Sequence, residues 1–168
     1  TARRWPAVAE ALEGAWGRQP EVRMTSRAGE ATEVTREALQ EGYQRIVAVG
    51  GDGTNNEVVG GFVYADEVRR EVGPPPPRFV SPEAVLAFVP SGTGGDLRRT
   101  LQPPGIGEPE AVVRYLQSTE SRAADLCRIS LVPRTGEALM MRPFINIASS
   151  GLGGEVCRRV NQSSKVLG

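Results

Sequence analysis

Apolar residues in the first part of the chain recur at helical spacing, interrupted by one alternating stretch. Trp5, Val8, Leu12 and Trp16 are three or four residues apart, which predicts one buried face of a helix. Residues 21–25 alternate between polar and apolar side chains and predict a short strand. A second helix is expected after it, with apolar positions at Ala31, Val34, Ala38 and Leu39 and with Gly42 as its C-terminal cap.

Two later stretches share one order of strand, glycine loop and helix. Residues 46–49 are continuously apolar and mostly β-branched, which is typical of a strand covered on both faces of a parallel sheet. A glycine loop follows over residues 50–56 and leads into a helix. The order repeats with a strand over 85–89, a loop over 90–95 and a helix from Asp96. Two such units predict an α/β fold with a Rossmann-like, doubly wound parallel sheet.

The remainder of the chain changes character. Residues 66–82 contain four consecutive prolines, which exclude a helix interior or a central strand and predict an exposed insertion. A further helix is expected around Val112, Val113 and Leu116. Residues 125–132 alternate, and with a turn over 133–136 and the stretch 139–147 they predict a β-hairpin. The chain therefore passes from an α/β region to the start of a β-rich one.

The composition excludes several kinds of catalytic and binding site. The 168 residues carry 20 basic and 20 acidic side chains, no histidine and two cysteines. The balanced charge argues against electrostatic binding of nucleic acid, and the absence of histidine excludes imidazole bases and histidine-ligated metals. Cys127 and Cys157 form neither a Cys-x-x-Cys motif nor a disulfide framework. With no transmembrane or signal segment in the sequence, we expect a cytoplasmic protein.

Lysine is almost absent, which decides how this protein can hold phosphate. Lys165 stands against nineteen arginines. A Walker A loop needs a lysine after its second glycine, so a P-loop is excluded. Any bound phosphate has to be held by backbone amides, hydroxyl groups and arginine.

The first glycine loop has the features of a phosphate cradle. We expect Gly50, Gly51 and Gly53 to let the backbone approach a polyanion and to adopt positive φ, and Thr54 to donate a hydroxyl hydrogen bond. Asp52 would repel a phosphate unless it holds Mg²⁺, a ribose hydroxyl or a substrate proton. The alternative interpretation is that Asp52 caps the next helix.

The second loop repeats this arrangement. Thr93 can donate a hydroxyl hydrogen bond, and Asp96 either caps the following helix or belongs to the site. Glu57 is expected in the first turn of the helix after the first loop, where the helix dipole favours an acid. Arg98 and Arg99 can supply cationic charge or can simply be solvated. Because both loops follow parallel strands, we expect them to converge on one ligand.

Residues 49–59 (VGGDGTNNEVV) and 90–96 (PSGTGGD) together resemble the diacylglycerol kinase catalytic-domain family, which includes bacterial lipid kinases, sphingosine kinases and ceramide kinases. The likeness extends to Thr25, to residues 124–126 and to residues 144–156. It implies an ATP-binding α/β domain over residues 1–124 and the beginning of a β-rich second domain over 125–168. It also implies transfer of the γ-phosphoryl group of ATP to a lipid hydroxyl, such as that of diacylglycerol, in phospholipid biosynthesis.

The resemblance also assigns site residues. Asp52 would be catalytic, either organising Mg²⁺ and ATP or accepting the substrate proton, while the metal ligands stay undetermined. The positions expected to bind the nucleotide are Thr25, Gly50, Gly51, Asp52, Gly53, Thr54, Asn55, Asn56, Glu57, Gly92, Thr93 and Asp96. The resemblance further implies a peripheral protein that meets its lipid substrate at a membrane surface. It does not decide whether the protein forms a homodimer.

This sequence departs from the family pattern in three respects. Gly95 replaces the usual Asn, and residues 97–99 (LRR) replace the more common Phe-Ala-Arg. By the same resemblance, the family's first strand with its Asn-Pro-x-x-Gly loop and most of the second domain lie outside these residues, so we expect no turnover by this chain alone. The alternatives are an NAD kinase relative, with Asp52 at a ribose hydroxyl, a non-catalytic nucleotide-binding module and a purely structural α/β domain.

Overall fold

The computed structural model describes residues 5–64, 76–91, 95–131, 140–148 and 151–162. The helices and strands over these ranges are α1 (Trp5–Trp16), α2 (Glu30–Gln40), β1 (Arg45–Gly50), α3 (Asp52–Phe62), β2 (Val85–Pro90), α4 (Asp96–Leu101), α5 (Pro109–Gln117), β3 (Cys127–Leu131), β4 (Met140–Phe144) and α6 (Leu152–Gln162). None of the helices in these ranges is long and apolar enough to cross a membrane.

The two apolar strands predicted from the sequence form a parallel pair. β1 and β2 are in register from Arg45 beside Val85 to Gly50 beside Pro90. Both strands therefore end at the same edge, and each is followed by a helix, α3 after β1 and α4 after β2. The first glycine loop, predicted over residues 50–56, is shorter than expected, because residues 52–56 already belong to α3. This arrangement confirms the predicted mixed α/β fold with a parallel sheet, of which two strands are seen in the described residues.

Helices cover both faces of the strand pair. Alternate side chains of each strand point to opposite faces, so a continuously apolar strand presents apolar side chains on both. On one face Ala48 and Phe88 join a core with residues of α2 and α3. On the other face Val89 joins a core in which Val8 of α1 and Val112 of α5 are completely buried. The continuous apolar runs of the strands are thus explained by burial on two sides.

The contact between α2 and α3 is unusually close at Gly61. A Cβ atom at this position would lie 2.5 Å from the Cβ atom of Thr35 and 2.9 Å from the backbone oxygen of Thr32. Thr32 also donates a hydrogen bond through its hydroxyl to the backbone oxygen of Glu57 at 2.8 Å. These contacts hold α3, and with it the first glycine loop, firmly against α2.

The predicted hairpin strands are present. β3 and β4 pair antiparallel, with Cys127 beside Phe144 and Leu131 beside Met140, while the expected turn over 133–136 lies outside the described residues. Leu126 and Ile145 pack against the core shared by α2 and α3. The division of the chain at residues 124 and 125 stays a prediction.

One predicted strand is wrong. Residues 21–25 have no strand conformation, and Val22 and Met24 within them are 44% and 64% exposed. A strand needs a hydrogen-bonded neighbour, and no described strand lies beside this segment. In the predicted insertion, residues 76–79 are exposed, which agrees with the expectation, and residues 65–75 lie outside the described part.

Candidate functional site

The two glycine loops meet at the carboxyl edge of the parallel pair. Ser91 donates its backbone N–H to the backbone oxygen of Gly50 at 3.0 Å. The backbone N–H of Asp96 points at Oδ2 of Asp52 at 3.4 Å. The described parts of the loops are therefore in direct contact, as expected from their order in the sequence. Gly92 and Thr93, both predicted to bind the nucleotide, lie outside the described residues.

The amino end of α3 offers free backbone donors. The N-cap residue is Gly51, and the first hydrogen bond of the helix runs from the N–H of Asn55 to the oxygen of Gly51 at 3.0 Å. The N–H groups of Asp52, Gly53 and Thr54 therefore have no acceptor within the helix. Together with the positive end of the helix dipole, three such donors favour a bound anion.

Gly50 is required by close packing, and the expectation of positive φ in this loop is wrong. A Cβ atom on Gly50 would lie 2.5 Å from the Cβ atom of Thr54. Gly51 has φ −97°, and neither Gly50 nor Gly53 has positive φ. Among the described residues, the glycines with φ in the left-handed region are Gly17, Gly29, Gly42 and Gly151. The absence of a side chain at Gly50 thus lets α3 start immediately beside the end of β1.

A small pocket between the loops is lined in part by Gly51, Asp52 and Asn55 on one side and by Gly95 and Arg98 on the other. Asn55 is only 5% exposed, and its Oδ1 atom has no hydrogen-bond partner among the described residues. A buried amide oxygen without a partner is rare in proteins. It can accept a hydrogen bond from a hydroxyl or amine group, or it can bind a cation. The resemblance already places Asn55 among the expected nucleotide positions, but the burial of its amide oxygen without a partner could not be predicted from the sequence.

Neither aspartate of the loops caps its own helix. The N-cap residues are Gly51 and Gly95, and neither helix start has a side-chain cap. Asp52 instead reaches across to the second loop, as described above. Asp96 accepts a hydrogen bond from Nη1 of Arg99 at 2.6 Å. The capping interpretation is therefore wrong for both residues, and the Asp52 carboxylate lies at the junction of the loops.

Two side chains predicted to bind the nucleotide have structural partners. Glu57 lies in the second turn of α3, not in the first as expected, and its Oε2 atom accepts the N–H of Ala31 at the start of α2 at 3.3 Å. Asn56 accepts the N–H of Ile145, just after β4, at 3.2 Å. Each side chain ties α3 to another element. Sequence periodicity contains no signal for such partners, because both are far away in the chain.

The remaining predicted positions are placed as follows. Thr25 is exposed and borders, with Thr54, a groove beside β1. Within the ranges that the structure describes, no three acidic, cysteine or histidine side chains gather closely enough to hold a metal ion. The metal ligands therefore stay undetermined.

Comparison with known protein families shows which family this chain belongs to. Residues 1–129 match the family defined as the diacylglycerol kinase catalytic domain. This match extends over both glycine loops and well over half of the chain. The chain belongs to the diacylglycerol kinase catalytic domain family.

Curated relatives of this family member share much of its length. A Pseudomonas aeruginosa protein named "Probable lipid kinase YegS-like" is 34% identical over 153 residues, which are 90% of this chain and 41% of that protein. Proteins of the same name from Pseudomonas savastanoi pv. phaseolicola and Chromohalobacter salexigens are 31% and 32% identical, over 96% and 80% of this chain and 44% and 35% of theirs. The chain thus spans less than half the length of these relatives.

Proposed function

We propose that this chain is the nucleotide-binding part of a lipid kinase that transfers the γ-phosphoryl group of ATP to a lipid hydroxyl such as that of diacylglycerol. The observation that supports this function most strongly is the meeting of the two glycine loops, with the Asp52 carboxylate hydrogen-bonded to the Asp96 N–H between them. Membership of the diacylglycerol kinase catalytic domain family and relatives named as lipid kinases support the same activity.

The donors at the amino end of α3 suit the phosphates of ATP. The N–H groups of Asp52, Gly53 and Thr54, which have no acceptor within α3, lie where β1 ends, and Gly50 leaves room for the first turn of the helix. Arg98 of α4 lines the pocket from the opposite side and would supply the positive charge that a lysine supplies in P-loop proteins. In this proposal Thr25 and Thr54 add hydroxyl donors, and Asn56 and Glu57 position α3.

Asp52 is the proposed catalytic residue. When bound, Mg²⁺ would neutralise charge on the transferring phosphoryl group, and Asp52 and Asn55 present the oxygen atoms suited to it. The Asp52 carboxylate could also accept the proton of the attacking hydroxyl as the oxygen–phosphorus bond forms. Its hydrogen bond to the second loop keeps the carboxylate at the junction where both loops would meet the substrate.

The test is calorimetric titration of ATP into this chain, with Mg²⁺ and again with the metal chelated. Asp52→Asn should weaken binding of Mg-ATP by about ten- to a hundredfold, since a charge-assisted contact contributes about 1.5–3 kcal/mol. It should not weaken binding of magnesium-free ATP, because the carboxylate repels bare phosphate. Glu110→Gln is the matched control, since Glu110 is an exposed acid in the first turn of α5. Equal loss with and without Mg²⁺ would contradict the role given to Asp52.

The substrate is tested in the full-length protein that contains this chain. Transfer of labelled phosphate from ATP is measured with diacylglycerol and ceramide in mixed micelles and with NAD in solution. We expect a labelled lipid and no labelled NAD. Labelling of NAD alone would favour the NAD kinase alternative, and ATP binding without transfer to any of the three would favour a non-catalytic module.

A further inference from the structure

The pocket between the glycine loops has room for a single small group. Its volume is about 10 Å³, which is roughly the space of one water molecule. Asn55 lines this pocket from α3, and its buried Oδ1 atom has no hydrogen-bond partner among the described residues. A buried acceptor without a donor costs free energy. We therefore expect a donor to enter this pocket when the site is in use.

Arg98 is the donor that the pocket itself offers. Apart from the Asn55 amide and the Asp52 carboxylate, the other described residues of the lining are glycine, proline, leucine and phenylalanine, whose side chains carry no donor. The Arg98 guanidinium carries several N–H groups in a planar fork. The negative charge of Asp52 attracts this guanidinium toward the pocket. Arg98 is therefore the side chain suited to donate to Asn55.

The Arg98 side chain lies across two glycines. A Cβ atom at Gly95 would lie 3.6 Å from the Arg98 Cβ atom and 4.0 Å from its Cδ atom. A Cβ atom at Gly105 would lie 3.6 Å from Nη2 of Arg98 and 3.6 Å from Oε1 of Glu108. The guanidinium thus lies beside the loop after α4, with a carboxylate nearby, and the residue is exposed. An exposed side chain with several rotatable bonds can turn toward Asn55 without disturbing the core.

Gly95 and Arg98 are both positions at which this sequence departs from the family pattern. Glycine replaces the usual asparagine at 95, and arginine replaces the more common alanine at 98. A longer side chain at position 95 would stand beside the Arg98 stem, so the glycine leaves the arginine room to turn. Both departures therefore act on the same small pocket.

We propose that Asn55 is a positioning residue for Arg98. When a phosphate group binds between the glycine loops, the Asn55 amide oxygen accepts one N–H group of the Arg98 guanidinium, and the other edge of the guanidinium binds the phosphate. A planar guanidinium can donate along two edges at once, whereas a lysine ammonium is a point charge without this geometry. The inference rests on the proposed nucleotide binding and adds the residue that orients the cation.

The role toward Arg98 is separable from a role toward Mg²⁺. The Asn55 oxygen is of a type that suits Mg²⁺, but the contact with Arg98 needs no metal. It should therefore contribute to binding of magnesium-free ATP. The metal-free measurement isolates the contribution made through Arg98.

Calorimetric titration of magnesium-free ATP into a double-mutant cycle tests the proposal. Asn55→Leu and Arg98→Ala should each weaken binding about three- to tenfold. The double variant should bind within about twofold of Arg98→Ala alone, because Asn55 acts through Arg98. Arg99→Ala is the matched control, since Arg99 is exposed and pairs with Asp96. In that background Asn55→Leu should weaken binding by the same factor as in the wild-type chain.

Thermal unfolding without nucleotide separates positioning from a structural role. Asn55→Leu should leave Tm unchanged or raise it, because an apolar side chain replaces a buried oxygen that has no partner. Asn55→Asp keeps the acceptor oxygen, so Arg98→Ala should still weaken ATP binding in that background. Arg98→Lys, an exposed change that leaves the core intact, should weaken binding nearly as much as Arg98→Ala.

Each other outcome decides against the proposal. Unchanged affinity in Asn55→Leu, or a double variant whose loss is the product of the two single losses, would overturn the positioning role and leave nucleotide binding standing. A loss that appears only with Mg²⁺ would overturn it too and would assign the oxygen to the metal. A lower Tm of Asn55→Leu in step with its lost affinity would show a structural role instead. No binding of ATP by the wild-type chain, with or without Mg²⁺, would contradict the proposed function as well.

Discussion

Replacing Gly50 by alanine tests whether the first glycine loop depends on close packing. The new Cβ atom would lie 2.5, 2.6 and 2.8 Å from the Cβ, Oγ1 and Cγ2 atoms of Thr54, whereas carbon atoms prefer about 3.5–4.0 Å. Rotation of the Thr54 side chain about its Cα–Cβ bond leaves the Thr54 Cβ atom where it is, so it cannot relieve the contact with the new Cβ atom at position 50. The first turn of α3 therefore has to move. Overpacking of this kind costs about 1–3 kcal/mol.

For a chain of this size, that cost corresponds to a decrease in Tm of about 2–12 °C. Urea unfolding followed by circular dichroism should show a lower midpoint with an unchanged slope. Gly53→Ala is the matched control from the same loop, because a Cβ atom at Gly53 meets nothing within 4 Å. It should be neutral or stabilising by up to about 1 kcal/mol. Equal midpoints for the two variants would refute the packing argument.

Three further predictions concern contacts around the site. Asn56→Ala leaves the half-buried N–H of Ile145 without its acceptor and should cost about 1 kcal/mol in urea unfolding, with faster exchange of the Ile145 amide; unchanged exchange would contradict this. Hydrogen bonds from the backbone N–H groups of Ser26 and Arg27 and from the Ser26 hydroxyl lower the pKa of Glu30 below 4.5. The Glu30 carboxylate therefore stabilises the fold above pH 4.5, and this contribution is lost as the pH falls through the pKa of the folded state. Glu30→Gln should therefore destabilise the chain near neutral pH and not in strong acid, and parallel pH–stability curves would disprove it. Arg98→Ala should weaken binding of Mg-ATP about three- to tenfold, and Arg99→Ala, which removes a partner of Asp96 outside the pocket lining, should have a smaller effect.

The helices, the parallel strands and the glycine loops could be predicted because their signals are local. The spacing of Val8 and Leu12 reports the face of α1 that is buried, and the apolar run in β1 reports burial on two sides. The glycine loops could be placed at one edge of the sheet because parallel strands end together. Each of these inferences depends on neighbours within a few residues or on a general rule of topology.

Residues 21–25 show the limit of such signals. Their alternation is a local property, but strand conformation requires backbone partners from another segment, and the described residues provide none beside them. The alternation was therefore not sufficient for a strand.

The sequence by itself determined the α/β class, the absence of a lysine from both glycine loops and the position of Asp52 after β1, since these follow from residue types and their order. Only the tertiary structure decided that Asp52 reaches the second loop, that Glu57 holds the start of α2 and that the Asn55 amide oxygen is buried without a partner among the described residues. The physical reason is distance along the chain. Asp52 and Asp96 are brought together by the pairing of two strands, and a hydrogen bond between distant residues has no periodicity from which it could be predicted.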